Sequence, residues 1–163
     1  MTDKKHILVA LVEDRPGVLT RVASLFRRRG FNIQSLAVGH SEQPELSRMT
    51  IVVSGDSAVV EQVRKQLDKL INVIRVSDIT EQDLVARELS LIKVKATTAT
   101  RYEIIQIVDV FRANVVDVAS DSLTVEVTGD ENKVNSLFEL LRSFGIKEMS
   151  RTGTVALTRG GIS

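Results

Sequence analysis

A chain of 163 residues fits one ordinary domain or two very small ones, and its hydrophobic (43%) and charged (26%) fractions are typical of a globular protein. The formal net charge of +1 gives no field that would attract nucleic acid or an anionic membrane, and the absence of cysteine excludes disulfides, thiolate metal sites and a cysteine nucleophile. Residues 1–5 lead directly into a predicted strand, with no signal peptide, transit sequence or bilayer-spanning apolar run, so we expect a cytoplasmic protein.

The first predicted elements are a strand, a tight loop and a helix. An apolar run at residues 7–12 predicts a buried strand, and turn-forming residues at 13–17 end it. We expect Pro16 to occupy the first position of the following helix and Asp14 to cap it. Three arginines followed by Gly30 indicate the helix end, because positive charge suits that end of the helix dipole and glycine tolerates a left-handed backbone. One face of the helix carries apolar residues at helical spacing: Val18, Leu19, Val22, Leu25 and Phe26.

The rest of the first half completes one supersecondary unit. We expect strands at 31–38, 49–53 and 73–76, and a helix that begins after a turn and cap at 55–57. The order strand, helix, strand, strand, helix, strand over residues 6–78 is the ferredoxin-like arrangement. In this arrangement both helices lie on one face of a four-stranded antiparallel sheet.

The second half repeats this order after a polar linker at residues 80–85. We expect strands at 89–96, 115–118, 123–127 and 154–157, with helices around 104–111 and 134–141. The predicted fold class is therefore α+β, with two tandem ferredoxin-like βαββαβ domains at 1–79 and 80–163. Units of this size leave a sheet face and edge strands uncovered, which predicts a homodimer.

The loop between the first strand and the first helix is a candidate ligand site. Free backbone N–H groups of the first helical turn attract an anionic group such as a carboxylate, and Gly17 lets a ligand approach the backbone. The Asp14 carboxylate can accept hydrogen bonds from an ammonium group, and Asn32 provides both a donor and an acceptor. Together these groups suit a free amino acid. The alternative is an ordinary capped turn, with Asn32 as a turn residue.

The sequence indicates no other site. The corresponding loop of the second half, 97–101, has no glycine or proline, so we expect binding in the first half only. His6 and His40 lack metal-binding or catalytic spacing and are expected at the surface, and we predict no catalytic and no metal-binding residues. The arginines at 27–29 are better explained as a helix-end charge cluster, with a partner contact as a further use, than as an RNA site, because aromatic residues amount to only 4%.

The most specific pattern in the chain is EDRPGVLTRVASLFRRRGFNIQSLAVG at residues 13–39, followed by LSRMTIVV at 46–53 and LIKV at 91–94. With this pattern the sequence resembles the small regulatory subunits of acetohydroxyacid synthase, also called acetolactate synthase, a family that has an N-terminal ACT domain. The resemblance extends over essentially the whole chain. It implies that residues 1–79 form an ACT domain for effector binding and dimerisation.

The resemblance implies a regulatory subunit rather than an enzyme. Such a chain binds the large catalytic subunit, raises its activity and makes it sensitive to feedback inhibition by a branched-chain amino acid, usually valine. The cofactors thiamine diphosphate, Mg2+ and FAD belong to the large subunit, and none is expected in this chain. A free-standing ACT-type sensor of amino acids that regulates a different enzyme is the alternative. The implied valine site lies between two ACT domains and combines loop residues Asp14, Gly17 and Val18 with Asn32 and Ile33 from the facing chain or the same one.

Overall fold

The computed structural model describes residues 4–160, which form four helices and nine strands. The first half contains β1 (Lys4–Glu13), α1 (Val18–Arg28), β2 (Asn32–His40), β3 (Leu46–Gly55), α2 (Ser57–Asp68) and β4 (Val73–Asp78). The second half contains β5 (Leu84–Lys95), α3 (Arg101–Val110), β6 (Asn114–Val118), β7 (Ser122–Gly129), α4 (Glu131–Arg142), β8 (Ile146–Arg151) and β9 (Val155–Thr158). The order βαββαβ occurs twice, which confirms the predicted pair of ferredoxin-like units.

Each half has an antiparallel sheet with the same strand order. The order is β2-β3-β1-β4 in the first sheet and β6-β7-β5-β8 in the second. In the first sheet, Glu13 at the end of β1 lies opposite Leu46, the first residue of β3. Asn32 at the start of β2 lies opposite Ser54, close to the other end of β3. The end of β1 and the start of β2 therefore lie at opposite ends of the sheet.

The start of α1 differs from the prediction. Pro16 and Asp14 both precede the helix, and its N-cap is Gly17 with φ 86° and ψ −11°. These angles are those of the third residue of a type II turn, a position that favours glycine and commonly follows proline. The N–H of Val18 donates to the carbonyl of Arg15 at 3.4 Å and closes this turn. The helix therefore begins where the turn ends, and no Asp14 cap is needed.

The end of α1 agrees with the prediction. Gly30 has φ 73°, in the left-handed region. Its N–H donates to the carbonyl of Arg27 at 3.1 Å, and the N–H of Phe31 donates to the carbonyl of Phe26 at 3.1 Å. These two bonds form a Schellman motif, which satisfies carbonyls that the helix leaves without partners.

The core of the first unit lies between its sheet and its two helices. The rings of Phe26 and Phe31 meet edge to face with centroids 6.4 Å apart. A Cβ on Gly55 would lie 1.9 Å from the Phe31 ring, so close packing requires glycine there. The prediction of a buried Leu19 is wrong, since 45% of this residue is exposed. The buried residues of α1 are Val18, Val22, Leu25 and Phe26.

The second unit has a core of its own. Asp130 caps α4, since its carboxylate accepts from the N–H of Lys133 at 2.8 Å. Asp56 caps α2 in the same way, through the N–H of Ala58 at 2.9 Å. Such caps satisfy N–H groups that have no partner within the helix. The largest fully buried side chains of this core are those of Ile92, Ile104, Leu123, Leu137 and Leu141.

The fourth strand of the second sheet is β8, which was not predicted from the sequence. It pairs with β5, with a register shift at Lys93 and Val94. Only Ile146 and Met149 are apolar in its sequence, IKEMSR. A strand at the end of a sheet has one neighbour and little buried surface, so its apolar signal is weak.

The strand predicted at 154–157 forms as β9, but it is not the fourth strand of the second unit. The chain forms two compact units, one containing the chain up to Val85 together with the segment that starts at Thr154, and the other running Ala86–Gly153. β9 pairs with β5, whose first residues lie in the same unit as β9. The N–H of Arg159, just after β9, donates to the carbonyl of Asp83 at 2.8 Å.

The segment that contains β9 lies on the helix-free face of the first sheet. Arg48 Nη2 on β3 donates to the carbonyl of Ala156 at 2.8 Å, and the N–H of Thr154 donates to Ser35 Oγ on β2 at 2.7 Å. Val52, on the same face, is buried although it lies outside the helix-side core. This face, which was expected to stay open unless something covered it, is therefore covered in part by the chain's own C-terminal segment.

Candidate functional site

The loop between β1 and α1, residues 14–17, is held by two neighbouring segments. The N–H of Asp14 donates to the carbonyl of Glu45 at 2.9 Å, just before β3. The N–H of Glu13 donates to the carbonyl of Asn72 at 2.8 Å, just before β4, and the Asn72 amide donates to the Glu13 carboxylate at 3.1 Å. The loop therefore has a defined position within the first unit, as a binding loop requires.

Gly17 leaves the start of α1 open. No side chain in the described range caps this helix, so first-turn N–H groups without a partner inside the helix remain available to a ligand. A Cβ added at Gly17 would meet Arg21 Nη1 at 4.0 Å and no closer atom of the described chain. The side chain of Val18 is buried in the core, so only its backbone could contact a ligand, and its N–H already donates to the carbonyl of Arg15 at 3.4 Å. A negatively charged group suits this position because the helix dipole is positive there.

The Asp14 carboxylate lies beside His40, the last residue of β2. Asp14 Oδ2 is 3.5 Å from His40 Nδ1, and half of the Asp14 side chain is exposed. Nothing in the sequence connects these two residues, because only the register of three strands brings the end of β2 next to the end of β1. The carboxylate keeps lone pairs that can accept from an ammonium group.

Asn32 and Ile33 lie far from this loop within one chain. Asn32 is exposed opposite Ser54, and the side chain of Ile33 packs against the first core. Eight residue steps of β3 separate Ser54 from Leu46, which lies opposite Glu13, and at 3.3 Å per residue this is about 26 Å. The loop residues and the β2 residues therefore cannot touch one small ligand within a single chain.

The corresponding loop of the second unit is closed by its own side chains. The N–H of Thr97 donates to Thr100 Oγ1 at 2.9 Å, and the N–H of Thr100 donates to Thr97 Oγ1 at 3.2 Å. These reciprocal bonds occupy two N–H groups that precede α3, whose own start has no side-chain cap. That binding occurs in the first half only stays a prediction.

The prediction of a surface position for His6 is wrong. This residue is 5% exposed, with Nδ1 at 3.3 Å from Asp78 Oδ2 and Nε2 at 3.4 Å from Ser57 Oγ. Burial of Asp78 disfavours its charged form, but hydrogen bonds from the Thr80 hydroxyl and N–H and from His6 outweigh burial and lower the pKa of Asp78. The cluster joins the start of α2 to the end of β4, and β1 supplies its histidine.

The described residues form neither a metal-binding cluster nor a membrane-spanning helix. Within residues 4–160, no three side chains of His, Asp or Glu come together in a way that could hold a metal ion. In the same range no helix has the length and apolarity needed to cross a membrane.

Comparison with known proteins identifies the family. Residues 8–75 match the family model "AHAS small subunit-like ACT domain", and residues 87–160 match "Small subunit of acetolactate synthase". The "Probable acetolactate synthase small subunit" of Archaeoglobus fulgidus is 60% identical over 156 residues, which is 96% of this chain and 98% of that protein. The chain belongs to the family of acetolactate synthase small subunits.

Further members of the small-subunit family agree with this assignment. The acetolactate synthase small subunit of Mycobacterium bovis is 54% identical over 160 residues, covering 98% of this chain and 95% of the relative. The crystal structure of the acetolactate synthase small subunit from Thermotoga maritima superposes with a TM-score of 0.89 at 41% identity, covering 98% of this chain and 99% of that one. The resemblance inferred from the sequence is confirmed. Membership and the ACT domain together indicate a regulatory rather than a catalytic role.

Proposed function

We propose that this small subunit activates the large catalytic subunit of acetolactate synthase and makes it sensitive to feedback inhibition by a branched-chain amino acid, with valine as the first candidate. The observation that carries the proposal is the open start of α1 at Gly17 beside the Asp14 carboxylate, within the ACT domain of a small subunit. Membership of the family supports the regulatory role, and the chemistry of the loop supports a free amino acid as the ligand.

The two charged ends of a free amino acid match two groups of this loop. Its carboxylate would bind the first-turn N–H groups of α1, where the helix dipole is favourable. Its ammonium would donate to the half-exposed Asp14 carboxylate. Leu19, which is exposed in the first turn, would offer an apolar contact to an aliphatic side chain. We propose Asp14, Gly17, Val18, Asn32 and Ile33 as the effector-binding residues.

Asn32 and Ile33 can join this site only if a second copy supplies them. β2 ends the strand order of the first sheet, and Val38 is one of its exposed apolar residues. If two β2 strands paired antiparallel about a two-fold axis at Leu36, Asn32 of one copy would lie opposite His40 of the other. Since His40 contacts Asp14, this register would bring Asn32 to the loop of the facing chain. We therefore propose a homodimer through β2, with two shared effector sites.

Feedback inhibition would follow from linkage between effector and partner. An effector bound across the dimer favours the arrangement of ACT domains that makes the most contacts with it. If that arrangement supports the active large subunit less well, effector binding lowers activity. A coupling free energy of about 1–3 kcal/mol gives roughly 5- to 150-fold effects on affinity. Thiamine diphosphate, Mg2+ and FAD would all bind to the large subunit.

The test is acetolactate formation from pyruvate by the large subunit of the same source. Activity is measured without this chain, with increasing amounts of it, and then with valine, leucine and isoleucine added separately. Activation that valine reverses would support both parts of the proposal. Activation that no amino acid reverses would contradict the effector site. No activation at all would favour the alternative, an amino-acid sensor that regulates a different enzyme.

A further inference from the structure

A groove of about 430 Å³ lies on the outer face of the first unit's helices. Its lining consists of Thr20, Arg21, Ser24, Arg27, Arg28 and Leu70. Carbon atoms of these side chains form most of the exposed lining, and the guanidinium and hydroxyl groups form the smaller part. Five of these residues belong to α1, and Leu70 follows α2. The groove uses none of the proposed effector-binding residues.

The charge in this groove is not neutralised by the chain itself. Within residues 4–160, no ion pair or side-chain hydrogen bond involves Arg27, Arg28 or Arg29, and all three are exposed. By contrast, Arg15 pairs with Glu13 at 2.9 Å, and Arg21 donates to a neighbouring side chain. Because the whole chain has a net charge of only +1, the positive charge here is a local concentration.

Stabilisation of the helix end does not require so many arginines. In its last turn and C-cap together, α2 has two basic residues, Lys65 and Lys69, α4 has one, Arg142, and α3 has none. α1 has two in its last turn and a third at its C-cap, Arg29. Each such charge improves helix stability by only about 0.3–1 kcal/mol at the surface, and adjacent like charges repel. A role in binding explains the surplus better.

An exposed apolar side chain borders the groove. Ile71, next to Leu70, is 88% exposed at the turn between α2 and β4. An isoleucine in this position gains nothing from folding, because it buries almost no surface. Arginine is one of the residue types enriched at protein interfaces, and an exposed apolar side chain beside it adds surface that a partner can bury.

From these observations we propose that this groove binds an acidic segment on the surface of the large subunit. Guanidinium groups and hydroxyls of the groove would donate to Asp and Glu carboxylates, and Leu70 and Ile71 would contact an apolar residue beside them. Association would be faster and tighter at low salt, as complementary charges require. The inference rests on the proposed function, since it takes the large subunit as the partner. RNA is the less suitable occupant, because the lining offers no aromatic ring for base stacking.

The test compares two double variants with the same change in net charge. Arg27→Glu/Arg28→Glu reverses the groove, whereas Lys65→Glu/Lys95→Glu reverses two exposed lysines outside it. For each, activation of the large subunit is titrated at 50 and 300 mM NaCl, and valine binding is measured by calorimetry. We expect the groove variant to need at least tenfold more protein for half-maximal activation, with unchanged valine affinity. The control variant should match the wild type within about twofold.

Several outcomes would overturn the inference. A groove variant that activates at wild-type concentrations contradicts it, and so does a control variant that loses activation equally. If the glutamates disturb the helix end and valine binding is lost, the milder variant Arg27→Gln/Arg28→Gln is tested in their place. At 50 mM NaCl this variant should need a higher concentration than the wild type for half-maximal activation. That concentration should also depend less on salt than it does for the wild type. A wild-type chain that binds valine but never activates the large subunit would refute the proposed function itself. A groove variant that binds RNA more weakly than the wild type but activates the large subunit normally would assign the groove to a different partner and refute the proposal.

Discussion

Substitution of Gly17 distinguishes its role in the backbone from its role in the effector site. A residue with a Cβ at φ 86° is strained by about 1–2 kcal/mol. Steric overlap adds little, because an added Cβ would be 4.0 Å from the nearest atom of the described chain. Since domains are stable by about 5–15 kcal/mol, we expect Gly17→Ala and Gly17→Asp both to fold.

The two substitutions should differ in their effect on the effector. An aspartate carboxylate at the start of α1 would occupy the N–H groups that we assign to the effector carboxylate and would repel it. Loss of a hydrogen bond to a charged group costs about 1.5–3 kcal/mol, so valine affinity should fall roughly 10- to 150-fold in Gly17→Asp. Alanine adds only a methyl group and should weaken binding by less.

Gly30 provides the matched control at the other end of the same helix. It has φ 73°, and a Cβ there would meet no atom of the described chain within 4 Å. Gly30→Ala should therefore carry the same backbone strain as Gly17→Ala without touching the effector loop. Calorimetry should show similar decreases in Tm for the two alanine variants, at about 4–8 °C per kcal/mol for a unit of this size. Valine titration should show a lower affinity for Gly17→Ala than for Gly30→Ala.

Two results would refute this reasoning. Gly17→Asp with wild-type valine affinity would show that the start of α1 does not bind the effector carboxylate. Equal weakening by Gly30→Ala would show that loss of stability, and not loss of a contact, lowers affinity. Activation of the large subunit by Gly17→Asp should be preserved, because the loop is not part of the proposed docking groove.

Three further predictions concern other parts of the first unit. Asn32→Ala should weaken valine inhibition more mildly than Gly17→Asp, since it removes one neutral hydrogen bond of about 0.5–1.5 kcal/mol; an unchanged inhibition curve would remove Asn32 from the site. The lowered pKa of Asp78 stabilises the fold above the unfolded pKa of about 3.9, and this stability is lost as the pH falls through the folded value. Thr80→Val removes one of the hydrogen bonds of Asp78, so its Tm deficit should be present at pH 6 and shrink towards pH 3; a deficit independent of pH would contradict this. Arg48→Met removes the hydrogen bond to the Ala156 carbonyl and should lower the Tm by a few degrees, which corresponds to about 1–2 kcal/mol. An unchanged Tm in calorimetry would mean that this bond does not hold the C-terminal segment.

The repeated fold could be predicted because its signals are local. Apolar periodicity identifies α1, and the glycine at 30 supplies the left-handed residue that ends it. The caps Asp56 and Asp130 were likewise predictable, because an N-cap depends on residues within one turn. The start of α1 was misplaced for a local reason as well: Pro16 and Gly17 suit both a helix start and a type II turn, and turn closure from Arg15 decided between them.

Edge strands and buried polar residues could not be predicted in this way. β8 has little apolar surface because it has one neighbour, so its sequence resembles a loop. His6 looks like a surface residue until Asp78 and Ser57, more than fifty residues away along the chain, provide hydrogen bonds that make its burial possible.

The sequence by itself determined the two βαββαβ units, the family and the loop that we propose as the effector site, because each depends on neighbouring residues. Only the tertiary structure decided which of these residues meet. Strand register places Asp14 beside His40, whereas Asn32 lies about 26 Å away along β3. The C-terminal segment packs on the first sheet, and β8, not β9, is the fourth strand of the second unit. Pairings between distant segments depend on the burial of whole sheet faces and on competition among strands, and no short stretch of sequence contains that information.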